Sequence, residues 1–274
     1  MIANRSEAVI GRIVLVVVLI ATLLPLANMV SAALQPADRN PTGLTWPTDP
    51  QWGNFVTAFE TGHVWTLMSS SALIVIGVVP ISILFGTLAG YALGNLRIRG
   101  GRFILLFLVL GLTIPFEALI IPLYYQIQGL GLLNTQWAII LPLIGLFMPF
   151  SVFWMRAHFV GVPRELSEAA RVDGATMFQE LRRIQLPLAV PSLSALAILL
   201  FLWTWNQFLL PVVLVSDPLK RTVAGSLTYF QGQYSSSIPL LNAGALIIIA
   251  PAIIVFLIFQ RQFIKALLQG AVKG

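Results

Sequence analysis

The chain has 274 residues, of which 58% are hydrophobic and only 9% charged. A soluble domain carries ~25% charged residues, so composition alone excludes an ordinary water-soluble globule and places the chain in the membrane class. The net charge is +6 and there is no cysteine, which excludes disulfides, thiolate metal sites and cysteine nucleophiles.

Six apolar runs approach the ~20 residues needed to cross a hydrocarbon core. They cover 9–33, 69–94, 103–127, 137–156, 189–212 and 243–260. A span must satisfy its own backbone hydrogen bonds, and these runs are too long for barrel strands. They therefore predict an all-α integral membrane protein with six transmembrane helices. The first run ends in Ser31-Ala32-Ala33, small residues of the kind found at cleavage sites. It is nevertheless longer than the ~7–15 residues of a signal-peptide core, and is expected to stay as a span.

An even number of spans puts both termini on one side. If that side is the cytoplasm, the inner segments hold thirteen Lys and Arg residues, and the outer ones only Arg39, Lys220 and Arg221. The positive-inside rule then orients both termini to the cytoplasm. Basic residues facing anionic headgroups account for the surplus charge, so no nucleic-acid partner is called for and the bilayer is the expected one.

The outer loop 34–68 is rich in turns, with Pro36, Pro41, Pro47 and Pro50. Its Trp46, Trp52 and Trp65 suit interfacial anchoring, with contact to an external protein or ligand as the alternative. An inner turn follows at Asn95–Arg102, where Gly100 and Gly101 break the helix. Glu117 is the one acid deep in a span. A central carboxylate costs ~2.5–3.5 kcal/mol, so it should face protein or a wet cavity, as a cavity wall or a hinge partner beside Pro115 and Pro122, with a locally satisfied structural Glu as the alternative. Tyr124, Tyr125, Gln126 and Gln128 cluster at the outer end of that third span.

The loop 157–188, between the fourth and fifth spans, is the main polar segment on the inner side. Pro163 suits the first position of a helix, Arg164 and Glu168 are spaced to pair, and Gly174 suits a left-handed stop. The first helix is expected over about 163–173, exposing the small Ala169 and Ala170 for close approach by another surface, with Glu168 and Asp173 as acceptors. Thr176 and Gln179 form a capping box for a second helix, which Pro187 should end or kink. A solvated surface connector is the alternative reading. In the fifth span, Trp203, Asn206 and Gln207 lie within about one turn, and Asn206 and Gln207, being polar groups in a lipid-embedded helix, should face inward. Side-chain amides with aromatic platforms are what a sugar pocket needs, and interhelical hydrogen bonding without substrate is the alternative. His63 and His158 lack a second ligand at metal spacing and are expected on the surface. Spans two to six carry no long linker, so a single membrane domain, 1–274, is expected.

Glu168-Ala169-Ala170, then Gly174, then Ile184 and Leu186-Pro187 resembles the EAA loop of membrane subunits of ATP-binding-cassette importers. The wider segment 168–175, the stretch Trp205-Asn206-Gln207-Phe208-Leu209-Leu210-Pro211, the stretch Phe230-Gln231-Gly232-Gln233-Tyr234 and the ending 269–274 resemble the carbohydrate, maltose-type branch. The resemblance implies a type I importer permease bundle in a bacterial cytoplasmic (inner) membrane. It implies a second homologous permease, two ATPase subunits that hold ATP and Mg, and an extracytoplasmic sugar-binding protein. It also places Glu168, Ala169, Ala170, Asp173, Gly174, Ile184, Leu186 and Pro187 at the ATPase contact. The chain itself lacks a G-x-x-x-x-G-K-[ST] phosphate loop, so its energy must come from a partner, and no cofactor is expected in it. Candidate substrate-path residues are Glu117, Tyr124, Tyr125, Gln126, Trp203, Asn206 and Gln207. A carrier of glycerol-phosphate-type or other polyol solutes is the alternative within the family. An ion-coupled secondary transporter would need more intramembrane acids or broken helices. An intramembrane enzyme would need a convergent catalytic set that the spans do not offer.

Overall fold

Long apolar runs become helices here because each backbone group must be satisfied within its own segment. The computed structural model describes the backbone of residues 5–271 apart from 40, 42, 97, 227–231 and 233–236, and side chains between 9 and 261. In chain order the helices are α1 (Arg5–Ala33), α2 (Gly53–Thr61), α3 (Val64–Asn95), α4 (Gly101–Thr113), α5 (Ile120–Gly129), α6 (Trp137–Val160), α7 (Arg164–Val172), α8 (Met177–Glu180), α9 (Leu186–Trp205), α10 (Leu209–Leu214) and α11 (Ile238–Ala271). Of the expected sugar-branch stretch, Phe230, Gln231, Gln233 and Tyr234 lie outside the described residues.

Two compact units emerge, one from residues 1–65 and 227–250, the other from 66–226 and 251–274. In the first, Asn54 is buried at the start of α2. Its amide donates to the carbonyls of Ala33 and Gln35, both at 2.8 Å. This satisfies the last carbonyl of α1 and one just beyond its end, which would otherwise be left open. Ala33, Ala58 and Ala243 pack together beneath Phe55 and Leu246. The side chains of α1 from Val9 to Leu24 are exposed on this chain, an apolar rod left for lipid or another subunit to cover.

The second unit is organised around α6. A stripe on α3 lets the two helices touch main chain to main chain. A Cβ on Gly86 would lie 2.5 Å from Ser151 Cβ, one on Gly90 2.7 Å from Met155 Cβ, and one on Gly94 3.1 Å from Phe159 Cβ. This is the small-xxx-small packing of membrane helices. It leaves Met155 and Phe159 fully enclosed, with the Tyr91 ring edge-on to Phe159 at 5.4 Å. α9 packs on a neighbouring face of α6, so that side chains of α3, α6 and α9 share one core. Trp154 Nε1 donates to the Ser192 carbonyl at 3.0 Å, and the Ser192 hydroxyl meets His158 Nδ1 at 2.9 Å. His158 is thus an interhelical residue, contrary to the surface position expected from its isolation in sequence.

Three expectations about the spans need correction. The third span is not continuous: α4 and the segment Phe116–Gly129 meet at 96°. The cause is Pro115, which has no N–H and forces Ile114 out of the helical region, to ψ 122°. The fifth span does not run to 212. α9 stops at Trp205, Asn206 turns its amide back to the Leu202 carbonyl at 2.9 Å, and α10 begins afresh at Leu209. Pro187 neither ends nor kinks a helix at its own position. The chain passes from α8 through a π-turn, Leu181–Gln185, directly into α9. Widening the turn one residue early, with Leu186 N–H donating to the Leu181 carbonyl, accommodates the proline ring and its missing donor.

Candidate functional site

The polar loop after α6 folds as a helix–turn–helix whose turn is built by backbone chemistry. Pro163 sits just before α7 with extended ψ, 130°, one residue earlier than expected. At the other end Gly174 takes φ +80°, the left-handed conformation that favours glycine. Ala175 N–H then reaches the Ala170 carbonyl at 2.9 Å, and Gly174 N–H the Arg171 carbonyl at 3.1 Å. These two bonds are the 6→1 and 5→2 pair of a Schellman stop. Thr176 and Gln179 close the expected capping box: Gln179 N–H donates to Thr176 Oγ1 at 3.3 Å, and Thr176 N–H to Gln179 Oε1 at 2.8 Å.

α7 is sharply two-faced. Ser167 and Ala170 are buried, while Glu165, Glu168, Ala169, Val172, Asp173 and Gly174 are exposed. Ala170 is therefore not offered outward as expected: it packs inward, and Ala169 beside it is the small exposed residue. Arg164 and Glu168 do not pair among the described residues. The ion pair of this loop is Arg171 Nε to Glu180 Oε2 at 3.1 Å, with Glu180 only 1% exposed. A second rung, Gln185 Nε2 to Ser167 Oγ at 3.0 Å, is fully enclosed at the glutamine. The outer surface of the loop carries apolar groups as well as charge, with Val172 87% and Phe178 67% exposed. A concavity of about 320 Å³ opens beside them, lined by Ala170, Asp173, Gly174, Gln179, Arg183 and Ile184. Of the remaining expected residues, Leu186 is half-buried and Pro187 exposed.

The expected substrate-path residues form two groups. Glu117 is exposed in the 3₁₀ turn Phe116–Leu119, at the break of the third span. Tyr124 and Tyr125 make an edge-on pair at 5.7 Å about two turns further on; Tyr124 packs on the core and Tyr125 and Gln126 are exposed. In the second group Trp203 lies against Phe150 at 4.8 Å and Phe147 at 5.7 Å, and is 40% exposed. Asn206 caps α9 and the Gln207 carbonyl accepts from the Thr222 hydroxyl. No hydrogen bond or ring contact joins the two groups among the described residues.

Residues 82–269 match the family described as binding-protein-dependent transport system inner membrane component. The chain belongs to that family. It is therefore a permease subunit of an ABC importer, a multi-pass membrane protein that transports and is not an enzyme. The permease is 39% identical to the arabinooligosaccharides transport system permease protein AraQ of Halalkalibacterium halodurans, over 91% of each chain. It is 32% identical to the trehalose transport system permease protein SugB of Mycobacterium tuberculosis, over 92% of this chain and 93% of that one. Its fold is similar to a chain of a bacterial ABC transporter involved in the import of the acidic polysaccharide alginate. The TM-score is 0.80 at 22% identity, covering 96% of this chain and 98% of that one.

The matched region contains the whole of α7, α8 and the π-turn. Within it the permease holds the exposed motif residues in place through four groups that motif reading passed over: Ser167, Arg171, Glu180 and Gln185. Gln185 sits between the motif residues Ile184 and Leu186. Only its complete burial, invisible in sequence, marks it out.

Proposed function

We propose that this permease carries a di- or oligosaccharide across a bacterial cytoplasmic membrane by alternating access. On this reading it works in complex with a second, homologous permease, two separate ATPase subunits that hold ATP and Mg, and an extracytoplasmic sugar-binding protein. The observation that carries the coupling half is the loop geometry. α7 is stopped by Gly174, α8 is capped by Thr176, and the outer face of the pair presents Glu168, Ala169 and Asp173 beside apolar Val172 and Phe178. A short rigid helix with a small residue at its centre, rimmed by acceptors, suits a cleft in a separate protein. Thirteen basic residues on that side of the spans support its being cytoplasmic, where ATP is found.

The sugar half rests on the relatives, named for arabinooligosaccharide, trehalose and diacetylchitobiose transport, and on the chemistry of the path residues. Tyr124, Tyr125 and Trp203 offer ring faces, and Gln126, Asn206 and Gln207 offer amides. Together they supply the stacking and bidentate hydrogen bonding that a neutral sugar requires.

Co-reconstitution of the permease pair, ATPases and binding protein in proteoliposomes tests both halves. ATP-dependent accumulation of a labelled oligosaccharide that requires the loaded binding protein is the expected result. Accumulation driven by an ion gradient without ATP would overturn it.

A further inference from the structure

The two rungs between α7 and the segment leading into α9 have mismatched spacing. On α7, Ser167 and Arg171 are four apart and share a helix face. Their partners, Gln185 and Glu180, are five apart. In a regular helix of 3.6 residues per turn, positions five apart point ~140° away from each other, so both could not meet one face of α7. The π-turn Leu181–Gln185 closes on the fifth residue instead of the fourth, and so stacks Glu180 and Gln185 on the same side. Pro187 favours the wide turn, as described above. The clamp is buried where it matters, with Glu180 and Gln185 at 1% and 0% exposure. From Leu186 onward the chain continues unbroken to Trp205, so anything rigidly attached to the π-turn is attached to a whole membrane span.

We propose that Ser167, Arg171, Glu180 and Gln185 are positioning residues that join α7 to the base of α9 as one rigid lever. A displacement of α7 is then delivered to the span rather than absorbed in the loop. None of the four needs to touch the ATPase or the solute. The proposal rests on the reading that α7 docks a separate ATPase.

The chain has no cysteine, so one rung can be removed and replaced by a covalent one. In the reconstituted complex the Ser167→Cys/Gln185→Cys variant is assayed before and after treatment with a short thiol-to-thiol crosslinker. The readouts are ATPase co-purification, basal hydrolysis, hydrolysis stimulated by loaded binding protein, and solute moved per ATP. The expected result before crosslinking is normal co-purification with at least a fivefold fall in the stimulated-to-basal ratio. Crosslinking should restore that ratio. Glu180→Gln, which neutralises the other rung in a side chain of the same shape, should lower the ratio with normal co-purification too. Wild-type stimulation in the uncrosslinked variant would overturn the lever, as would failure of crosslinking to restore it. Loss of co-purification in both variants would reduce the rungs to maintenance of the fold and overturn it equally. If the unsubstituted permease itself fails to bring down an ATPase, the docking reading has failed instead, so the two failures are distinguishable.

Discussion

Replacing Gly90 by alanine places a methyl carbon 2.7 Å from Met155 Cβ, 2.8 Å from the Arg156 nitrogen and 3.0 Å from the Met155 carbonyl carbon. Carbon atoms pack at ~3.5–4.0 Å, so α3 and α6 must part by up to ~1 Å, and two of the three obstacles are main chain that cannot rotate away. Overpacking of this kind costs ~1–3 kcal/mol, and the upper end applies. Alanine recovers ~1 kcal/mol of helix propensity over glycine, leaving a net loss of about 2 kcal/mol. Two neighbours calibrate the figure. Gly94, where the new carbon would meet Phe159 Cβ at 3.1 Å, should change little, because the milder squeeze cancels the propensity gain. Gly145, with open space around it, should gain ~1 kcal/mol. Thermal unfolding in detergent reads the series, at ~2–4 °C per kcal/mol for a chain of this size. The expected order of melting temperatures is Gly145→Ala above wild type, Gly94→Ala near it, and Gly90→Ala lowest by several degrees. Equal melting of the Gly90 and Gly145 variants would refute the close packing of α3 on α6.

Gly174 has φ +80° and no atom within 4 Å of a would-be Cβ, so substitutions there meet backbone strain alone. Alanine should cost ~1–2 kcal/mol of loop order, asparagine less, and Gly174→Pro most. Stimulated ATP hydrolysis should fall progressively from asparagine through alanine to proline while membrane insertion is unchanged; equal hydrolysis across the three would contradict the Schellman turn's role. Glu168→Lys reverses an exposed charge without touching a buried contact. It should abolish stimulated hydrolysis yet leave the melting temperature at the wild-type value, and normal stimulation would remove Glu168 from the docking surface. Trp203→Ala should raise the solute concentration for half-maximal uptake at least tenfold if its ring lines the path. An unchanged value with lowered thermal stability would assign Trp203 to packing against Phe147 and Phe150.

Local chemistry was the legible part. Gly174 could be read as a left-handed stop, and Thr176 with Gln179 as a capping box, because each depends on neighbours a few residues away. The first, second, fourth and sixth spans also follow from hydropathy, since lipid imposes helix on any apolar run of that length. The break at Ile114–Pro115 escaped because hydropathy stays high on both sides of it, though Pro115 was in plain view. Asn206 looked like a polar group within a span and proved to be the residue that ends one. The Gly86–Gly90–Gly94 stripe stands in the sequence at four-residue spacing, but its partner on α6 is some sixty residues away. The Arg171–Glu180 pair replaced the expected Arg164–Glu168 pair for a related reason. Helical spacing sees only contacts along one helix, and this one crosses a turn. The π-turn leaves no mark in composition at all, and with it went the significance of Gln185.

On the proposed reading, α7 is where a separate ATPase is engaged. In this cysteine-free chain, Ala169→Cys places a single thiol on the exposed face of α7, and Gln128→Cys places one near the end of α5, at the opposite end of the topology. Crosslinking each variant to single-cysteine ATPase subunits in native membranes tests the claim directly. An efficient, nucleotide-dependent crosslink from position 169 and none from 128 is the expected result. A crosslink from 128, or none from 169 in a complex that still transports, would contradict it.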